Sequence, residues 1–341
     1  MDVYRRKFLK QAAAFTALGS VIDWASSARA SDRCGELLPQ RQLTPDGTKV
    51  TALCLGGWHV GVQETKKDAE KLLEFSMESG IRFYDTARGY QKGRSESYMG
   101  QLLIPRYRDS IFLMTKSPGK NAKQVRQHLD DSLRALRTDY LDLWQIHSIN
   151  SPDDVDNRIR EGVLDVFLEA KEQGKAKYIG FTGHRNPETH LHFLEHLDKR
   201  GLHMDTCQLP LNVCDPSFES FEKHVLPVLL DKQYGVIAMK TMAGGSMLGN
   251  RIDTTPKSIQ SQDIPHLIEE TEITLANLHQ YVYALPVSSL CSGCEKLSQL
   301  EHNVNVLKNL QVLSESDRAK LVRMAKPFAG ETVENYKRVL G

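Results

Sequence analysis

The sequence predicts a (β/α)8 TIM barrel with a short N-terminal β-hairpin. Eight short, mostly apolar β-rich runs alternate with amphipathic helical stretches between positions 50 and 307. Apolar runs of this kind suit parallel strands covered on both faces, and strand–helix–strand connections enforce parallel pairing. No G-x-G-x-x-G follows the first run, which disfavours a doubly wound sheet, and no Pro-, Gly- or Ser-rich linker divides the chain. The 341 residues are 40% hydrophobic and 26% charged, with six cysteines. This excludes disorder, collagen-like repeats and a disulfide-dense scaffold. A formal charge of +1 leaves no basic footprint for nucleic acid. No apolar run approaches the roughly eighteen residues of a membrane span, so no stable membrane anchor is expected.

The first thirty residues stand outside the predicted barrel. Arg5-Arg6-Lys7-Phe8-Leu9-Lys10 precedes an alanine-rich stretch from Ala12 to Ile22, and Ala28-Arg29-Ala30 follows. A basic head, a short apolar middle and an A-x-A tail read as an export signal, of twin-arginine type because of the arginine pair. The expectation is a periplasmic or secreted protein that passes the twin-arginine export machinery, with one barrel domain over 31–341.

Pro45-Asp46-Gly47 marks the turn of a hairpin at 43–48. Strands are expected at 50–55, 82–85, 111–115, 141–146, 177–181, 206–209, 235–239 and 287–290. Helices are expected at 67–79, 95–103, 122–136, 156–172, 187–199, 217–230, 264–278 and 296–307.

Chemistry in such a barrel sits where strands end. Strand two ends in Asp85 and leads to Tyr90, strand three ends in Thr115-Lys116, and strand four ends in Gln145-Ile146-His147. A phenol is a poor acid at neutral pH until a neighbouring cation stabilises its phenolate. Lys116 can supply that cation, Asp85 can hold the lysine charged, and His147 can hydrogen-bond a carbonyl oxygen beside Tyr90. Such a group delivers a proton to a carbonyl that receives hydride from elsewhere.

Gly80-Ile81-Arg82-Phe83-Tyr84-Asp85-Thr86-Ala87, followed by Tyr90 and by Ser95-Glu96 before Gly100, resembles the signature of the aldo-keto reductase superfamily. Lys116, Leu141-Asp142-Leu143 through His147, and Gly174-Lys175 before Tyr178-Ile179-Gly180 fall in register with it. The resemblance implies a catalytic tetrad of Asp85, Tyr90, Lys116 and His147, with NADP or NAD extended across the barrel mouth. It further implies cofactor contacts from Gly56, Gly57, Thr182, Gln208, Met239, Lys240, Lys296 and Asn303, with Trp58 lining the substrate mouth. The substrate implied is a small aldehyde, ketone or alcohol.

The chain departs from the family pattern at the cofactor. Thr182-Gly183 stands where better-known members hold Ser-Asn, so Gly183 offers no side chain. Met239 stands where an aromatic residue stacks on nicotinamide, leaving a softer sulfur contact. With Asn303 aligned to the family's asparagine, the usual lysine and arginine of the phosphate clamp fall at Gly293 and Gln299. Only Lys296, with Lys240 near the pyrophosphate, can replace that charge. The eroded clamp keeps a second reading open, a repurposed barrel that binds a small molecule in the periplasm without catalysis.

Two other groups draw attention. Cys291-x-x-Cys294 reads as packed thiols before a disulfide, and as a disulfide before half a metal site. His192 and His196, four apart beside His190, have metal-ligand spacing. No carboxylate motif such as H-E-x-x-H accompanies them, so a solvated helix face is expected and no metal.

Overall fold

A computed structural model describes residues 30–249 and 266–339. The export segment expected over 1–30 lies outside these residues except for Ala30, as do the first two residues of the helix expected at 264–278. Eight parallel strands close into a barrel in chain order. They are β1 (Leu53–Gly56), β2 (Phe83–Asp85), β3 (Phe112–Ser117), β4 (Leu141–Ile146), β5 (Ala176–Thr182), β6 (Thr206–Pro210), β7 (Gly235–Met239) and β8 (Ser289–Ser292), with β8 pairing back onto β1.

The barrel interior has an apolar floor and a polar mouth. Cys54, Phe83, Met114, Leu143, Tyr178 and Ile237 form the floor, plugged from below by Leu43 and Val50 of the N-terminal hairpin. That hairpin pairs Gln40–Gln42 with Lys49–Thr51, on either side of the predicted turn. Side chains alternate along a strand, so a residue two positions on points the same way. Asp85 therefore rises above Phe83, Lys116 above Met114, Gln145 above Leu143 and Met239 above Ile237. The period of two sets the site.

Helices cover the outside of the barrel. Helix α1 (Ala122–Leu136) buries Val125, Leu129, Ser132 and Leu136, spaced as one helical stripe, and starts at an Asn121 cap accepting from Gln124 N–H. Trp144 of β4 stacks on Phe167 with ring centroids 3.8 Å apart, which seats the helix Val163–Glu172 on the barrel.

Several boundaries differ from expectation, two of them at a residue that breaks a helix. The run at 50–55 is divided between the hairpin strand and β1, with Ala52 between them. The helix at 156–172 is two helices, Pro152–Arg160 and Val163–Glu172, broken at Gly162 with φ 73°. The helix at 217–230 breaks into Phe221–His224 and Leu226–Asp231, because Pro227 cannot donate into a continuous helix. The stretch at 264–278 contributes Leu267–Glu270 and a capped helix Leu275–Tyr283. Strand β8 begins two residues later than expected. Beyond position 307 the chain adds a helix, Glu315–Ala325, and a tail that returns to the barrel. There Lys337 reaches Asp215 at 2.6 Å and Glu334 at 2.8 Å, all three fully buried. No helix among the described residues is long and apolar enough to cross a membrane.

Candidate active site

Strand ends bring Asp85, Tyr90, Lys116 and His147 to one mouth. Lys116, 2% exposed, ion-pairs with Asp85 and donates to the Thr86 carbonyl at 2.8 Å and to the Tyr90 hydroxyl at 3.4 Å. The Tyr90 ring stands edge-on between Trp58, 5.2 Å away, and His147, 5.7 Å away. Tyr90 sits on a tight turn where Gln91 and Lys92 take positive φ of 45° and 58°, a conformation that non-glycine residues adopt at a cost. Signature residues support this turn from behind. Ser95 donates to the Gly57 carbonyl at 2.7 Å and lies 2.8 Å from the Thr86 hydroxyl, while Thr115 donates to buried Glu96 at 2.6 Å.

Burial governs the titration of the mouth. It raises the Tyr90 phenol to about 12, and the pull of Lys116 in the other direction does not offset it. The sequence reading expected that pull to prevail; in the folded site desolvation is larger, so the phenol stays protonated at neutral pH. Burial, followed by the Lys116 charge, holds His147 well below its usual value, which keeps the imidazole neutral. Burial also pulls on Lys116, but Asp85 and Tyr90 outweigh it and the ammonium titrates above its normal range.

The residues expected to hold a cofactor ring the same mouth. Gln208 donates to Asp85 at 3.3 Å, which fixes its amide orientation and leaves its Oε1 buried without a hydrogen-bond partner among the described residues. An unsatisfied buried acceptor is costly and fits a carboxamide N–H of a bound nicotinamide. Thr182 points at the Met239 sulfur, 4.0 Å away. A Cβ at Gly57 would lie 2.2 Å from the Asp85 carbonyl oxygen, and one at Gly56 would press on the Gly293 backbone at 3.0 Å. The loops after β1 and β8 thus meet backbone to backbone. Gly183 has a packing reason of its own, since a Cβ there would lie 2.7 Å from both the His190 ring and the Ile149 carbonyl.

At the clamp end, Lys240 takes φ 59° and its ammonium stands 5.7 Å from the Tyr336 ring centroid. Burial lowers its affinity for a proton. Burial against Gly293 lowers the affinity of His59 for a proton, with Glu295 at 3.8 Å pulling the other way and Lys240 adding to the lowering. Lys296 is exposed at the start of the helix Leu297–Lys308, where the Gln299 side chain accepts from the Lys296 and Glu295 N–H groups. Asn303 donates to the Ser292 hydroxyl at 3.0 Å and the Cys294 sulfur at 3.2 Å, so its amide ties down the loop after β8.

Sequence reasoning missed Cys291 at the site. Its thiol donates to Asp85 at 3.1 Å and it faces Cys54 across the β8–β1 register. Both thiols, and Cys294, are unbridged. β8 runs on through Ser292, so Cys291 lies within the strand with its thiol at Asp85, an end point that spacing alone does not reveal. His190 corrects the expectation of a solvated face: it is fully buried against Phe181 and Phe221. His192 and His196 do face outward, and Asp156 of the neighbouring helix stands between them.

Comparison with known proteins bears on this geometry. Residues 52–326 match the model of the family described as the aldo/keto reductase family. The oxidoreductase YqkF of Bacillus subtilis (strain 168) is 25% identical over 82% of this chain and 94% of its own length. The L-glyceraldehyde 3-phosphate reductase of Escherichia coli (strain K12) is 24% identical over 82% of this chain and 90% of its own. An aldo-keto reductase from Bacillus halodurans, in its holo form, superposes with a TM-score of 0.69 at 22% identity, covering 87% of this chain and 99% of that one.

Proposed function

The chain belongs to the aldo/keto reductase family and is an oxidoreductase, and from that premise we propose that it reduces a small aldehyde or ketone, or runs the reverse reaction, with Tyr90 as the proton donor. The observation that carries this reading is the contact series Asp85–Lys116–Tyr90, with Trp58 and His147 flanking the phenol. The cofactor is NADP or NAD, which supplies the hydride when bound. Gln208 Oε1 and Thr182 would hold the carboxamide, Met239 would pack on the ring, and Gly56 and Gly57 would support the dinucleotide by letting the loops after β1 and β8 close on the backbone of Gly293 and Asp85. Lys240, Lys296 and the loop fastened by Asn303 would take the phosphates. Lys296, with Lys240 adding charge at the phosphates, favours NADP over NAD.

The chain's own residues perform the remaining chemistry. Neutral His147 donates one hydrogen bond to the carbonyl oxygen and holds it beside the Tyr90 hydroxyl. That hydroxyl, protonated at neutral pH, gives its proton to the oxygen as charge develops there. Lys116 then stabilises the phenolate, and Asp85 keeps Lys116 charged and oriented. Trp58 excludes water on the opposite side. The proposal extends to export: residues 1–30 would direct the folded protein through the twin-arginine machinery, carrying a slowly dissociating dinucleotide, and fractionation of cells would test it.

Tyr90→Phe is the direct test. It removes only the proton donor, so kcat for carbonyl reduction falls by about 10²–10⁴ while dinucleotide binding, followed by fluorescence, is unchanged. Retention of more than about a tenth of kcat contradicts the assignment, since general acids contribute at least roughly a hundredfold.

A further inference from the structure

On the outside of the barrel, away from the mouth, two imidazoles and a carboxylate converge. His192 and His196 lie one turn apart on the helix Pro187–Lys199, which follows β5. Asp156 comes from the helix Pro152–Arg160, which follows β4. The Nε2 atoms of His192 and His196 each stand 2.8 Å from the same Asp156 oxygen, and their rings are 4.7 Å apart. One ligand atom from each residue lies within 4.8 Å of the others. Both helices are held from beneath. Val155 and Ile159 meet Phe193 around one small apolar cavity, and Ser151 and Asn186 cap the two N-termini.

We propose that Asp156, His192 and His196 form a binding site for one divalent transition-metal ion of the zinc or copper class. Two imidazoles with one carboxylate suit these ions and not magnesium or calcium, which prefer all-oxygen shells. Tetrahedral zinc with bonds of about 2.0–2.1 Å needs neighbouring ligand atoms roughly 3.4 Å apart. The present contacts are closer, so the carboxylate must withdraw by roughly 0.6 Å to admit an ion of this size. Asp156 is 46% exposed at its side chain and has room to do so. The nearby Glu195 is occupied by Lys199 at 2.7 Å. A water completes the fourth position on the solvent side. The bound ion would join the helix after β4 to the helix after β5, bracing the loop that runs on from His147.

The test uses the untagged full chain, stripped with chelator and titrated with Zn²⁺ by calorimetry, with Mg²⁺ in parallel. One saturable Zn²⁺ per chain is expected, with no Mg²⁺ signal and a melting temperature raised by the metal. His192→Ala and His196→Ala each weaken binding by at least tenfold, the loss expected when even an outer partner of a ligand is removed. The double variant loses the site. His192→Gln keeps a polar side chain toward Asp156, so it melts like the parent without metal yet loses the same affinity. Absence of a saturable equivalent in the parent overturns the proposal. So does Zn²⁺ binding of parental affinity in the double variant or in His192→Gln, which would assign the ion to another part of the chain.

Discussion

Replacing Lys116 by methionine separates the catalytic role of the lysine from its structural one. The side chain is almost fully buried and its ammonium touches Asp85, the Thr86 carbonyl and the Tyr90 hydroxyl, the last at 3.4 Å. Methionine fills most of the same volume and removes the charge. At 3.4 Å and an effective dielectric of about 20, a cation stabilises a phenolate by at most about 5 kcal/mol. If roughly half of that is expressed while the proton is in flight, reduction slows by about a hundredfold. The sign follows from the folded site: the phenol already sits near 12, and losing the cation raises it further. Wild-type reduction is therefore flat with pH across the neutral range as far as Tyr90 and His147 are concerned, and the variant lies below it everywhere.

Stability changes in parallel, because Asp85 is left as a buried charge without its partner. A cost of about 3–5 kcal/mol is expected in urea unfolding. Asp85→Asn combined with Lys116→Met removes both charges and should recover most of that loss without recovering turnover. The assay is consumption of reduced dinucleotide with a panel of short aldehydes, beside equilibrium unfolding of each variant. A Lys116→Met protein within threefold of wild-type kcat refutes the role given to the lysine. A double variant that regains both stability and turnover would make the pair purely structural.

Three further outcomes are expected. Gly57→Ala drives a methyl to within 2.2 Å of the Asp85 carbonyl oxygen and should destabilise the fold by about 1–3 kcal/mol, read as a lower melting temperature. Lys337→Met leaves Asp215 and Glu334 buried without a counter-ion, so chemical denaturation should show a loss of about 3–5 kcal/mol. Changing Lys240 and Lys296 together to alanine should abolish a preference for NADP over NAD in binding titrations, each charged phosphate contact being worth about 1.5–3 kcal/mol. Unchanged preference would mean that neither lysine meets the 2′-phosphate.

The barrel and its mouth were legible because both depend on local periods. A strand of period two that ends in Asp85, Lys116 or a residue just before His147 declares which side chains point inward and at what height. The eight parallel strands were visible as short apolar runs between amphipathic helices, and the strands expected at 141–146 and 235–239 coincide with β4 and β7. Boundaries failed where one residue breaks a pattern that otherwise continues. Gly162 at φ 73° divides a helix whose apolar stripe runs through the break, and Pro227 divides another. The two-residue shift of β8 had the largest consequence. It put Cys291 into the barrel beside Asp85, where a reading of Cys291-x-x-Cys294 as a local pair had no means of placing it.

Contacts between distant elements follow no period, and they account for the rest. Lys337 and Asp215 are 122 residues apart, and neither is unusual in its own neighbourhood; only the return of the tail to the loop after β6 makes them a buried pair. The same holds for Asp156, His192 and His196. The histidine spacing was visible, but the carboxylate that turns a polar face into a candidate ligand set is 36 residues earlier, on another helix. Parallel (β/α) topology makes such meetings systematic, because the helices after β4 and β5 lie side by side on the barrel and present their outer edges to each other. An outward residue on one of these helices should therefore be weighed against the outward residues of the next helix, as inward residues are weighed across neighbouring strands. By that rule the absence of H-E-x-x-H within the helix does not decide the matter, since the third ligand can come from the adjoining helix at little cost in chain entropy once the barrel has closed.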